Sequence, residues 1–468
     1  MKKLNLLLIV FTLSGLINFC KAQPIDAVKP RNIIIMIGDG MGFNHIKATE
    51  YYLYGTDSSV LKGNGFIKLA EATFPAIVET KTDRVYNSGY NTEAVSKNPQ
   101  ILSSGFTDSG AAATAMATGK KTYRGAIGMS VENDTLQNLV ELAKGLGKAA
   151  GIITSVPACD ATPAGFSVHS KSRGTKEEIF QQEIIDSRLD VLMGCGNPDY
   201  NKDGLPQQMD AKLVGGDSLW AQLKNRTPQI NFNISGHKYT VKDIDNDSKP
   251  DAWTLIQDSA AFAMLNGGNP PKRVLGIPKV NSTLQQERTL NEGSKLPFET
   301  PFIKGMPTLQ LMTEGALNVL SRNPKGFFLM IEGGAIDWAS HSNQSDRMIE
   351  ETAGFLDAIE AVVKWVNKNS NWQETMLVIT ADHECGFLWA EEGNDKFYPI
   401  TNKGKGNLPG MKWYSKDHTN SLVPFYAKGA GSNLFNLFAD EYDPNYGYFI
   451  QNTEIAQTVF LLWGNVGK

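Results

Sequence analysis

The sequence predicts an α/β fold built on a central, mostly parallel sheet with surface insertions. Three observations lead there. Apolar, strand-like runs alternate with helical patterns, the order expected of βαβ units. The chain has 468 residues, more than the roughly 250–300 at which a single core stops growing, so added segments must decorate the main body. Each strong apolar run ends in a loop carrying Asp, Glu, His or Thr, and open α/β sheets place their sites outside the carboxyl ends of the strands.

The chain begins with Lys2 and Lys3, an apolar stretch from Leu4 to Phe19, and Cys20-Lys21-Ala22 before Gln23. This pattern reads as a secretory signal over residues 1–22, with 23–468 as the mature chain. The apolar stretch is shorter than a membrane span of about 20 residues, and no other segment reaches that length, so a periplasmic or secreted protein is expected. The first strand, Asn32–Ile37, runs into Gly38-Asp39-Gly40-Met41-Gly42. Ser109, after Thr107-Asp108, opens a run of small residues closed by Gly119, which reads as a tightly packed helix. Leu136, Leu139, Val140 and Ala143 mark a further helix stopped by Gly145 and Gly147. It leads into the strand Gly151–Val156 and the loop Asp160-Ala161-Thr162.

Between about 195 and 305 the periodicity fades among Gly, Pro, Asn and Asp, and this stretch reads as an insertion because strand runs resume after it. A shorter stretch at about 386–416 has the same character. The strand Phe327–Ile331 ends in Glu332, with Asp337 and His341 following at helical i, i+4 spacing on one face of a turn. A helix through Met348, Phe355, Ile359 and Val363 then connects to the strand Met376–Thr380, which ends in Ala381-Asp382-His383.

Carboxylates and imidazoles of this kind are ligands for Zn²⁺ or Mg²⁺. Each has a plainer reading: Asp39 in an Asx turn, Thr162 or Ser109 as a helix cap, Asp382 and His383 as a hydrogen-bonded pair. Convergence of the four loops favours metal binding over these. Arg173 offers a cationic fork for two phosphoryl oxygens. The net charge of -4 and the lack of a basic block argue against nucleic-acid binding. There is no Gly-x-Ser-x-Gly elbow for a metal-free hydrolase, and Gly38–Gly42 lacks the G-x-G-x-x-G spacing.

Two loops in the insertion have calcium-like spacing: Asp199, Asn201, Asp203 and Asp210, and then Asp243, Asp245, Asp247 and Asp251, with Ser248 in place of the usual glycine. Cys159, Cys195 and Cys385 permit one disulfide in an oxidising compartment and leave one thiol free. His45 and His237 read as structural or surface residues.

Taken together, Ile37–Gly42, Thr107–Thr114, Thr118–Gly125, Asp160-Ala-Thr162-Pro163 with His169 and Arg173, Glu332–His341, Ala381–His383 and Asp417-His418-Thr419 resemble, in order, the motifs of the alkaline phosphatases. The resemblance implies a three-layer α/β sandwich and hydrolysis of phosphate monoesters through a phosphoserine on Ser109, with an alkaline optimum. It implies one zinc at Asp337, His341 and His418, and a second at Asp39, Asp382, His383 and the Ser109 oxygen. A magnesium would be held by Asp39, Thr162 and Glu332. Arg173, Asp160 and Trp338 would face the substrate, and homodimers are common in the family. Trp338 stands where some relatives carry Lys or His, which implies weaker phosphate retention. Two other functions compete. A phosphodiesterase or sulfatase of the same superfamily wants a Thr nucleophile or a Cys/Ser-x-Pro-x-Arg motif, and Asp108-Ser109-Gly110 fits neither. A secreted calcium-binding protein would rest on the acidic loops alone and leave the Asp/His positions unexplained.

Overall fold

The computed structural model describes residues 28–464 apart from 64, 80–83, 226–229, 290–295, 394–395 and 397. The leader-like segment 1–22 lies outside the described residues. Eleven strands form the main sheet: β1 (Asn32–Gly38), β2 (Ile67–Ala72), β3 (Ala149–Pro157), β4 (Val191–Cys195), β5 (Thr254–Ile256), β6 (Val274–Gly276), β7 (Phe327–Gly333), β8 (Thr375–Thr380), β9 (Val423–Gly429), β10 (Glu441–Asp443) and β11 (Gly447–Gln451). Their order is β10-β11-β2-β9-β8-β1-β7-β3-β4-β6-β5. From β8 to β5 every pairing is parallel, while β9 runs antiparallel to both its neighbours.

β1, β3, β7 and β8 are buried along their whole length, which is why they read as unbroken apolar runs. Alternate side chains serve two cores. Ile33, Ile35, Ile37, Phe328 and Met330 pack with helices α2 (Ser109–Thr118), α4 (Ala161–Ser167) and α9 (Thr453–Trp463). Ile34, Met36, Leu329 and Ile331 pack with α1 (Phe43–Tyr54), α6 (Leu309–Leu320) and α8 (Ser345–Asn369). The remaining helices used below are α3 (Leu139–Gly145), α5 (Lys176–Ile185) and α7 (Ala335–His341). Helices on both faces of the sheet make the expected three-layer sandwich. Each buried Ile or Leu contributes about 2 kcal/mol from lost apolar exposure, so the central strands hold the ends of β8, β1, β7 and β3 rigidly side by side.

Two expectations change. The 195–305 segment is only partly an excursion, because Thr254–Ile256 and Val274–Gly276 extend the main sheet. Three-residue strands are too short to show a period, which hides them in the sequence. Cys159, Cys195 and Cys385 are all buried free thiols, so the disulfide that the sequence permits does not form. The 386–416 stretch contains the ribbon Leu388–Trp389 paired with Lys412–Trp413. Among the described residues no helix is long and apolar enough to cross a membrane.

Candidate active site

The adjacent ends of β8, β1, β7 and β3 carry Asp382, Asp39, Glu332 and the loop to Asp160. Asp39 is followed by Gly40 at φ +70°, where a Cβ would meet the Asp337 Cα and the Cys385 Cβ at 2.9 Å. Only glycine suits that left-handed, crowded turn. Its N–H donates to Asp382 Oδ1 at 3.1 Å and so links the ends of β1 and β8.

α2 begins at Ser109, but its cap is Asp108, whose Oδ1 accepts from the Ala111 N–H at 3.1 Å. Ser109 is therefore freed from capping. Its hydroxyl lies 3.3 Å from His383 Nε2. A Cβ on Gly165 would sit 2.7 Å from the Ala113 Cβ, so the small residues of α2 let α4 pack against it closely. α4 repeats the capping pattern: Asp160 accepts from the Ala161 N–H at 2.7 Å, and the buried Thr162 hydroxyl has no hydrogen-bond partner.

At this centre two groups of side chains have metal-ligand spacing. Asp337, His341, Cys385 and His418 form one, Asp39, Asp382 and His383 the other, each with its ligand atoms within 4.8 Å of one another. The rings of His383 and His418 stack at 3.5 Å between the two groups. His341 Nδ1 lies 2.6 Å from the Lys416 carbonyl, and His418 Nδ1 lies 2.9 Å from that of Thr107. Carbonyls only accept, so both Nδ1 atoms carry the proton and turn Nε2 inward. Those two Nε2 atoms are 3.0 Å apart. Asp337 pushes His341 up to about 9, while burial and His383 push His418 down to about 4. Carboxylate and imidazoles crowded in this way suit a cation between them.

The carboxylates show the same demand. Burial, Asp382, Asp337 and Glu332 push Asp39 well above the usual carboxylate range, and burial pushes Glu332 up to about 8. Asp39 Oδ1, Asp337 Oδ1, Asp382 Oδ2 and Thr162 Oγ1 are buried without a hydrogen bond, although His383 Nε2 lies 3.5 Å from Asp39 Oδ1 and 3.1 Å from Asp382 Oδ2, and His418 Nε2 lies 3.5 Å from Asp337 Oδ1. Oxygens left unsatisfied in such numbers are costly unless cations meet them. The donor set therefore fits metal ions, with imidazoles at the two Asp/His groups and Asp, Thr and Glu oxygens beside Glu332.

A cleft of about 530 Å³ opens on this centre, lined by Asp160, Arg173, Lys176, Asp337, Trp338 and His341 among others. Arg173 NH1 donates to Asp108 Oδ2 at 3.0 Å, and NH2 to Asp160 Oδ1 at 3.4 Å. Burial pushes both carboxyls up, but Arg173 with the Gly125 and Ala111 N–H groups at Asp108, and Lys176 with Arg173 at Asp160, hold them below their ordinary value.

A family model for alkaline phosphatase matches residues 30–430. The chain belongs to the alkaline phosphatase family. Alkaline phosphatase 4 of Bacillus subtilis is 29% identical over 370 residues, which cover 78% of this chain and 64% of that protein. The alkaline phosphatase of Escherichia coli is 27% identical over 362 residues, 75% of this chain and 70% of its own. The solved alkaline phosphatase of a psychrophilic Shewanella superposes with a TM-score of 0.63 at 23% identity, covering 93% of this chain and 100% of that one. That of the Antarctic bacterium TAB5 gives 0.60 at 21% identity, over 93% and 100%.

Within this alkaline phosphatase family member, the nine residues expected from the sequence as metal ligands are carried by different elements: Asp39, Glu332, Asp382 and His383 at or just beyond strand ends, Ser109, Thr162, Asp337 and His341 on α2, α4 and α7, and His418 in the short strand His418–Thr419. Three further residues, Asp108, Thr154 and Lys176, escaped sequence reasoning. Asp108 orients Arg173 while capping α2, a role signalled only by its N-cap position. Thr154 faces Glu332 across the β3/β7 register and donates to its Oε2. Lys176 Nζ reaches Asp160 Oδ1 at 2.5 Å, and Cys385 lies beside the Asp337 group. His45 is buried, with Nδ1 accepting from the Gly42 N–H at 3.1 Å, and His237 is exposed, as expected.

In the two acidic loops with calcium-like spacing, the side chains have partners within the protein. Asp199 faces the Trp220 indole N–H and Lys224, Asp203 faces Thr289, Asp210 caps the turn at Lys212, and Asn201 accepts from the N–H of Asp203 and Leu205. Asp243, Asp245 and Asp251 do gather, but Lys272 Nζ sits 2.6 Å from Asp245 and 2.5 Å from Asp251, supplying a positive charge itself. Asp247 accepts from the Lys249 N–H instead.

Proposed function

We propose that this chain hydrolyses phosphate monoesters to an alcohol and inorganic phosphate through a phosphoserine on Ser109. The observation that carries the reading is Ser109, released from capping by Asp108 and set 3.3 Å from His383 Nε2 beside the two ligand groups. Asp337, His341 and His418 would hold one zinc, Asp39, Asp382, His383 and Ser109 a second, and Asp39, Thr162 and Glu332 a magnesium. Two solved structures of variants of the TAB5 enzyme hold magnesium, which supports that third site. When bound, these ions supply the charge that lowers the serine's pKa and takes up negative charge on the leaving oxygen.

The chain's own residues do the rest. The Ser109 oxygen forms a bond to phosphorus as the ester P–O bond breaks, and water then cleaves the serine phosphate. Arg173, held by Asp108 and Asp160, binds two phosphoryl oxygens, so that positioning and charge stabilisation provide most of the acceleration. Both the serine and the water lose protons, so activity rises toward alkaline pH. Action in the periplasm or outside the cell, and assembly as a homodimer, complete the reading.

The test is turnover of p-nitrophenyl phosphate by wild type and Ser109→Ala, each with and without chelator. Loss of more than about a thousandfold in the variant, and of activity on chelation, is expected. Full activity in Ser109→Ala would overturn the nucleophile, and turnover of the bis-ester alone would favour a diesterase.

A further inference from the structure

We propose that Lys176 binds the phosphoryl group and the product phosphate as the second cation of the cleft, supplying the charge that Trp338 lacks. The inference rests on the phosphatase reading above. Lys176 Nζ and Arg173 NH2 converge on a single oxygen, Asp160 Oδ1, at 2.5 and 3.4 Å. Both side chains line the cleft that also contains Trp338, Asp337 and His341.

The place of Lys176 in the sequence is informative. It is the first residue of α5, where the helix dipole disfavours a cation and favours acids such as Glu177 and Glu178, which follow it. A residue chosen against its local preference commonly marks a functional demand. Its side chain is 23% exposed and lines the cleft, so it is reachable from there.

The two cations have different freedom. Arg173 is clamped by two carboxylates, Asp108 and Asp160, and presents a rigid fork. Lys176 is a compact charge on a flexible four-carbon stem. It can turn from Asp160 to an oxygen of an entering phosphate without moving the backbone. Trp338 brings no charge to the same cleft, so Lys176 answers that deficit from a different element. No bond is made or broken by it, and its part is charge and position.

The experiment uses the metal-loaded full chain, with p-nitrophenyl phosphate as substrate and inorganic phosphate as inhibitor and as titrant in calorimetry. Lys176→Ala is expected to weaken phosphate inhibition and raise KM, each about tenfold, with kcat within about twofold of wild type. Lys176→Arg should stay within about threefold of wild type, and Lys176→Ala/Trp338→Lys should recover most of the lost affinity. An inhibition constant and KM in Lys176→Ala within twofold of wild type would overturn the proposal. So would a loss that neither Lys176→Arg nor Trp338→Lys recovers, since that would mark a packing role. Failure of the phosphatase reading is distinct: wild type would not turn over the monoester, while calorimetry would still compare phosphate binding with and without Lys176.

Discussion

Replacing Asp108 by alanine separates stability from recognition in one residue. Its Oδ1 accepts from the N–H groups of Ala111 at 3.1 Å and Gly125 at 2.9 Å, and its Oδ2 from Arg173 NH1 at 3.0 Å. Loss of an N-cap costs about 1 kcal/mol, and loss of the Gly125 bond about another 1 kcal/mol. Arg173 is about one-third exposed, so its ion pair adds less than about 1 kcal/mol. Asp108→Ala should therefore lose about 2–3 kcal/mol in urea unfolding. Arg173 would keep only its longer contact with Asp160. Regained rotamer freedom of about 1 kcal/mol corresponds to a rise of about fivefold in KM and in the phosphate inhibition constant, with kcat maintained. Asp108→Asn keeps the cap and loses the charge, so it should show the kinetic change with less than about 1 kcal/mol of destabilisation. Steady-state kinetics on a phosphate monoester decides the matter. Unchanged KM and phosphate inhibition in Asp108→Ala, despite the stability loss, would refute Asp108 as the residue that aims Arg173.

Chelation should lower the melting temperature by at least about 5 °C, because Asp39 and Glu332 are held with other buried carboxylates and lose their counter-charge; an unchanged melt would contradict the metal reading of the clusters. Glu71 is buried, and burial raises its pKa from 4.5 to about 8. The folded state thus holds this proton more tightly than the unfolded state, so between those pH values its contribution to stability falls as pH rises, by at most about 1.4 kcal/mol per pH unit. Glu71→Gln should remove that slope, and parallel pH–stability curves for variant and wild type would falsify the assignment. Gly40→Ala places a Cβ 2.9 Å from Asp337 and Cys385 at φ +70°, so activity and bound-metal content should fall together; a fully loaded, fully active variant would show the turn to be adaptable.

The mostly parallel sheet and the loops that carry the site are legible in the sequence for one physical reason. Strands covered on both faces must be apolar throughout, as β1, β3, β7 and β8 are, so the polar residues that end them stand out. Three helices are legible too, the small-residue run from Ser109 and the periodic stretches through Leu139 and Phe355, whereas α1, α5, α6 and α9 emerge only in the fold. Which residue performs a cap is less legible: Ser109 and Thr162 each have an aspartate neighbour that takes the role, and backbone geometry makes that choice. Thr154 meets Glu332 through strand register, and Lys176 reaches Asp160 across sixteen positions by the path of the chain. The acidic loops carry the spacing of calcium ligands, yet their charges answer to Lys224 and Lys272, which only packing brings near. The sequence by itself determined a buried parallel sheet and the residue types at its carboxyl edge. The tertiary structure alone decided which of those groups lack partners, because an atom's need for a cation depends on everything folded against it.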